Sequence, residues 1–392
     1  MNRPIYLDHH ATTPLDPRVL DAMLPYLGPQ FGNPASRTHR YGWESARAVE
    51  AARESVAALV GADPPEIYFT SGATESVNLA LSGTLSDHRG AHLVTVSNEH
   101  RCVLDVAASL QSRGNQLTQL AVDAQGCIDP AELECALRAS TRLVSSMAAN
   151  NEVGTIHPLA RLAPVVGSRG ILFHSDASQA VGKIPTDARN AGVDLMSFSA
   201  HKLYGPKGAG ALFIRNGVER RVVPQILGGG QERGFRSGTP NVPAIVGFGA
   251  AAEIARGEMA HEAARLRGLR DRLWRALQAA LPGVVVHGDP VQGLPGNLSV
   301  ALEGVDGEAL LTAVPEVAAS SGSACESNSK AASHVLIAMG IARERIRGTV
   351  RFGLGRFNSE SEIDRAAACL IQEVRRLGSY AEPRSFPTGT RP

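Results

Sequence analysis

The feature that most constrains this chain is the alternation, through its first half, of short apolar runs with longer stretches of helical spacing. Residues 66–70, 92–96, 143–147, 171–173, 194–199 and 211–214 read as strands rich in Val, Ile, Leu and Phe. Between them, Ala46, Val49, Ala52, Val56, Leu59 and Val60 recur on one helical face until Gly61 stops the run. Val103, Leu104, Ala107 and Leu110 do the same until Gly114, and Asp129 with Pro130 caps a helix to about Arg138. Strands separated by helices need crossovers, and crossovers cover both faces of a mostly parallel sheet. An α/β fold is therefore expected, with ligands at the edge where strand carboxyl ends open into loops.

Near residue 260 the pattern changes. A charged helical stretch, 261–281, precedes strand-like runs at 284–286, 297–302 and 349–353. A hinge is expected near 258–262. It would divide a large domain over 14–259 from a small α+β domain built from 1–13 and 260–380, and 392 residues suffice for two such lobes. The Pro-rich polar tail 381–392 is expected to be disordered. With 39 basic and 38 acidic residues and no basic block, neither nucleic acid nor membrane is an expected partner. No apolar run is long enough to span a bilayer, and Pro4 and Asp8 break up the amino-terminal stretch where a secretory signal would need an apolar core. The five cysteines (Cys102, Cys127, Cys135, Cys325 and Cys369) are odd in number and form no CxxC pair. That argues against a disulfide framework or a metal site and for a cytoplasmic protein with reduced thiols, Cys102 among those expected to be packing residues.

Three segments carry chemistry. In Phe69-Thr-Ser-Gly-Ala-Thr-Glu-Ser76 a strand ends, Gly72 allows a tight turn, and hydroxyls stand at a helix start, a natural phosphate cup. In His174-Ser-Asp-Ala-Ser-Gln179, Asp176 falls at a strand's carboxyl end, where it serves either as a helix cap or as a functional acid. In Ser197-Phe-Ser-Ala-His-Lys-Leu-Tyr-Gly-Pro-Lys-Gly208, Lys202 follows a strand in a Gly-bounded turn, where crowding beside other cations favours Schiff-base chemistry. Together they supply what a pyridoxal cofactor needs: a phosphate cup, an amine, and an acid for the pyridine nitrogen. The 26 residues from Asp176 to Lys202 allow one crossover between neighbouring strands.

The chain resembles the cysteine desulfurases, a branch of the class V aminotransferase-like pyridoxal-phosphate enzymes. The resemblance runs from about Pro4 to Leu377 and rests on YLDHHATTP, FGNPASRTHRYG, FTSGATES, NEH at 98–100, NNEVG, HSDASQAVGK, SFSAHKLYGPKG, GGGQERGFRSGT, SSGSAC and VRFGLGRF. It implies a pyridoxal-phosphate transferase-like large domain and a smaller α+β domain carrying the catalytic cysteine loop. It also implies roles: Lys202 carries pyridoxal 5'-phosphate, Asp176 pairs with the ring nitrogen, Gln179 meets the phenolic oxygen, and His100 stacks on the ring and shuttles protons. Ala73, Thr74, Ser199 and His201 match phosphate-side positions. Asn151 and Arg351 match groups that meet the substrate, Arg351 offering a planar fork to a carboxylate. Thr239 matches a residue supplied across a subunit interface, which implies a homodimer.

Cys325 lies in a polar, small-residue stretch that should form an exposed mobile loop, as suits a thiol that visits the cofactor and then a partner. The resemblance makes it the nucleophile that takes sulfur from L-cysteine, leaving alanine and a persulfide. The extended stretch 326–333 matches the iron–sulfur-assembly type. Ala148, Ala149, Ala200 and Glu326 depart from the common pattern, and Glu326 should raise the Cys325 pKa by like-charge repulsion. A sulfur-acceptor protein is the implied partner, an iron–sulfur scaffold or a thiolation carrier. Selenocysteine lysis and a non-catalytic scaffold in a sulfur relay are the alternatives.

Overall fold

The computed structural model describes residues 3–321 and 332–378. Its centre is a seven-stranded sheet in the order Ile67–Thr70, Gly210–Ile214, Leu195–Ser199, Leu172–Asp176, Thr141–Ser145, His92–Val96 and Gln116–Leu120. Pairing is parallel except on both sides of Gly210–Ile214. Five of these strands, at 67–70, 92–96, 172–176, 195–199 and 210–214, are buried at every position, as a sheet covered on both faces requires. Side chains alternate between two apolar layers. Phe173, Met196 and Phe213 enter one, and their neighbours Leu172, Leu195 and Leu212 enter the other. The mostly parallel sheet expected from the sequence is present. The strand at 143–147 starts two residues earlier than expected, and the polar edge strand Gln116–Leu120 has no counterpart among the expected strands.

A third apolar core contains Ile5, Leu7, Leu273, Val300, Phe352 and Leu370. It packs on a four-stranded antiparallel sheet ordered Ser320–Ser321, Thr349–Gly353, Asn297–Ala301 and Val285–His287. The amino-terminal strand Ile5–Tyr6 pairs in parallel with Val317–Ala318. No hinge breaks the backbone at 258–262. Residues Val242–Ala280 form one continuous helix of 39 residues. Its uncharged first part is buried against the helices Pro17–Leu27 and Arg40–Leu59, and its charged second part lays Leu266, Leu269, Leu273 and Leu277 on the third core. The change of composition that suggested a hinge is thus a change of neighbours along one helix. Among the described residues no helix is long and apolar enough to cross a membrane. The tail after 378 and most of the stretch around Cys325 lie outside the described residues.

Candidate active site

Asp176 ends the strand Leu172–Asp176, and Lys202 ends a short turn directly after the neighbouring strand Leu195–Ser199. The two strands pair in register with Asp176 opposite Ser197, so one crossover brings acid and amine to the same sheet edge. There they line an open cleft of about 290 Å³ with His10, Ala11, Thr74, His100, Met147, Ala149, Asn151, Ser178, Gln179, His201 and Arg351.

Each side chain is held by local geometry. Lys202 Nζ donates to the carbonyl oxygens of His10 and Ala11, at 2.6 and 2.8 Å. Asp176 Oδ1 accepts from the backbone N–H and the hydroxyl of Ser178, at 2.9 and 2.5 Å, which fixes the carboxylate at the strand end. Gln179 Nε2 donates to the His10 carbonyl at 2.9 Å, while its Oε1 faces His10 Nδ1 at 3.0 Å. Arg351 is 4 % exposed, reaches up from the antiparallel sheet, and donates to Asp8 Oδ1 (2.8 Å), Ser320 Oγ (2.9 Å) and the Asn151 carbonyl (3.2 Å). Such a fork is pre-aimed for a carboxylate. His201 Nδ1 lies 3.1 Å from Thr12 Oγ1; burial, then Lys202, Lys207 and Lys183, push its pKa down to about 4, so it is neutral at pH 7.

His100 caps the helix Arg101–Ser112, and its Nδ1 accepts the Cys102 backbone N–H at 3.2 Å. That bond places the hydrogen of the neutral ring on Nε2. Burial lowers the His100 pKa, Lys202 and His334 lower it further, and Asp176 opposes them. The ring therefore stands as a neutral hydrogen donor, not as a waiting base. Cys102 packs against an apolar core as expected, and its Sγ also lies 3.0 Å from His100 Nδ1 and 3.9 Å from Asp176 Oδ2. Burial, then Asp176 and Glu99, raise its thiol pKa well above the ordinary range, so it is no competing thiolate. His100, Cys102 and Asp176 would suit a metal by distance alone, but the Nδ1 lone pair is already taken by a backbone N–H.

The phosphate side is built on a glycine contact. Gly72 caps the helix Ala73–Leu85, and a Cβ on Gly210 would stand 2.5 Å from Gly72 Cα. Only glycine at 210 lets the helix start approach the strand so closely. Ala73 and Thr74 open the helix, where backbone N–H groups lack intrahelical partners; Thr74 lines the cleft, and buried Ser199 stands beside Gly72, its Oγ 3.9 Å from where a Gly72 Cβ would be. Ala200 is fully buried, and its methyl fits because Gly205 faces it: a Cβ there would come within 2.9 Å. Thr239 does not join the cleft; it lines a separate depression with Thr70, Ser71, Gly208 and Arg236. Cys325 lies outside the described residues. Sequence reasoning did not single out His10 and Ala11, whose backbone carbonyls hold Lys202; the paired histidines in LDHHATTP were the only signal.

The family described as Aminotransferase class-V matches residues 5–366. A cysteine desulfurase IscS from Anaeromyxobacter sp. (strain Fw109-5) is 52% identical over 379 residues, covering 96% of this chain and 94% of the relative. The cysteine desulfurase of Homo sapiens is 51% identical over 377 residues, covering 96% and 82%. The chain belongs to the cysteine desulfurases of the class V aminotransferase family. A solved NifS-like protein superposes with a TM-score of 0.88 at 38% identity, covering 96% of this chain and all of that one. SspA, solved in complex with cysteine, gives 0.80 at 34%, covering 90% and 99%. The family is pyridoxal-phosphate-dependent, and the donor set here fits that group: an amine and a carboxylate on adjacent strand ends, an imidazole facing them, and a glycine-built anion cup.

Proposed function

We propose that this cysteine desulfurase binds pyridoxal 5'-phosphate in the cleft, frees the sulfur of L-cysteine, and holds it as a persulfide on Cys325. The observation that carries the reading is the convergence of Lys202, Asp176, His100 and Arg351 on one cleft from four separate segments. When bound, the cofactor supplies an electron sink for the carbon beside the substrate carboxylate. The chain's residues do the rest. Lys202 tethers the cofactor and moves the proton of that carbon. Asp176 would hold a proton on the ring nitrogen by charge, Gln179 would meet the phenolic oxygen, and His100 would stack on the ring and donate from Nε2. Ala73, Thr74, Ser199 and His201 receive the phosphate. Arg351 and Asn151 hold the substrate, Arg351 through its carboxylate. The Cys325 thiolate attacks the substrate sulfur; an S–S bond forms, the C–S bond breaks, and its electron pair stays with the carbon skeleton, which leaves as alanine.

The persulfide is then passed to an acceptor protein, an iron–sulfur scaffold or a thiolation carrier; the IscS-named relatives support the first. A homodimer is proposed as well. Leu20, Leu24 and Leu27 expose one apolar helical face, Phe31 stacks on Tyr41 in the open, and Thr239 stands apart from the cleft it would serve in a partner. The cytoplasm is the proposed compartment, since the chemistry needs a reduced thiol. In the deciding experiment, Cys325→Ala keeps the visible absorbance of the purified protein and loses sulfide release from cysteine. Unchanged release would remove Cys325 from the mechanism, and a protein that never acquires the absorbance would remove the cofactor.

A further inference from the structure

A second lysine stands on the same bridge as Lys202. Lys183 Nζ donates to Gln179 Oε1 at 2.6 Å. The other end of that amide donates to the His10 carbonyl at 2.9 Å, and the same carbonyl accepts from Lys202 Nζ at 2.6 Å. One amide and one carbonyl thus join two amines. Among the described residues Lys183 forms no ion pair within 4.0 Å. The acid facing it, Glu262, is committed to Arg356, whose Nε and second nitrogen donate to Oε2 at 3.0 and 2.8 Å. The other groups around Lys183 are the cations Lys202 and Arg351, the phenol of Tyr204, and the imidazoles of His9 and His10. Burial keeps both imidazoles far below their ordinary pKa, so they add no charge at pH 7.

Nothing in the proposed reaction uses Lys183, yet a half-buried lysine whose one hydrogen-bond partner among the described residues is a neutral amide needs a reason. Burial first, then Lys202 and Arg351, push its pKa well below the ordinary lysine value. Repulsion between two sites is reciprocal, so Lys183 acts on Lys202 in the same sense.

We propose that Lys183 is a positioning residue for Lys202: the two nitrogens compete for charge across the Gln179–His10 bridge, and Lys183 also locks the Gln179 amide with its NH2 toward that bridge. The competition favours the uncharged form of the Lys202 nitrogen, the form that attacks a carbonyl and accepts a proton. The arrangement is the one in which a second cation activates a Schiff-base lysine.

The inference rests on the reading that the cleft holds pyridoxal phosphate, and the test separates the two. The cofactor-loaded protein is titrated with pH, and the midpoint of its visible absorbance change is read for the wild type, Lys183→Met and Lys183→Arg. Removing the competing charge in K183M raises the midpoint by about one pH unit, about tenfold in proton affinity. K183R, which cannot lose its charge, holds the midpoint at or below the wild-type value. A packing role alone would lower thermal stability and leave the midpoint in place, so an unmoved midpoint in K183M overturns the proposal. If K183M does not fold, K183Q removes the charge while keeping a hydrogen-bond donor for Gln179, and the same two outcomes apply. A wild-type protein with no visible band fails the cofactor reading itself, whatever the variants do.

Discussion

At the scale of single residues, the least expected group is Glu99. It is fully buried, its Oε1 accepts the Met147 backbone N–H at 2.5 Å, and its Oε2 has no partner among the described residues. Burial and, after it, the nearby Asp176 raise its pKa well above the usual carboxyl value. Its folded-state pKa therefore lies above the value it has in the unfolded chain. The unfolded state then binds fewer protons across the window between the two pKa values, so stability falls as pH rises from about 4.5 upward. Glu99→Gln, neutral at every pH, removes this loss. Its thermal midpoint should gain on the wild type as pH rises from 5 to 8, with a slope of at most about 1.4 kcal/mol per pH unit. Parallel curves for the two proteins would mean that Glu99 is ionised when folded. Nothing in the tripeptide Asn98-Glu-His100 announces this, because burial of a carboxyl is a property of its tertiary neighbours.

At the scale of elements, legibility in the sequence followed burial. Strand 92–96 was readable to the residue because every position is buried and Leu93, Val94 and Val96 stand together with the β-branched Thr95. Gln116–Leu120 escaped because it is an edge strand whose Gln116 and Gln119 face solvent. The functional acid and lysine were legible because each follows directly on such a buried strand; the carbonyls that hold Lys202 were not, because they come from residues nearly two hundred positions away. Of the long helix Val242–Ala280 only the charged second part was legible, because the partners change along its length. Its first part lies so close to Arg40–Leu59 that a Cβ on Gly249 would stand 2.6 Å from Ala52 Cα. Gly249→Val should therefore force the helices apart and cost about 1–3 kcal/mol. Urea unfolding reads this as a lowered midpoint with an unchanged slope. A midpoint equal to the wild type would show that the helices give way without cost.

At the scale of the whole molecule, the amino-terminal segment works as a strap. Ile5 and Tyr6 pair with Val317 and Ala318, Asp8 meets Arg351, His10 and Ala11 hold Lys202, and Asp16 meets Arg356. Arg356 is the knot. Its guanidinium donates to Asp16 at 2.7 Å and to Glu262 at 2.8 Å, lies 4.3 Å from the centre of the Tyr204 ring, and its backbone N–H donates to the Tyr204 hydroxyl at 2.6 Å. Asp16 and Arg356 are almost enclosed, so solvent screens their pairing little, and removing one leaves the other charged and poorly solvated. Arg18 first, and Arg356 after burial's opposing effect, hold the Asp16 carboxyl well below its usual range. The stability this supplies is present above the ordinary aspartate pKa and is lost as pH falls through the lower folded value. A double-mutant cycle of Asp16→Asn and Arg356→Gln at pH 7 should give a coupling of about 0.5–3 kcal/mol, beyond what distant sites show. Repeated at pH 3, the coupling should persist, because the folded Asp16 carboxyl, held well below its usual range, is still ionised there. Additive effects at pH 7 would mean that the strap is fastened elsewhere, and that the helix Val242–Ala280 alone sets how the two sheets meet over the cleft.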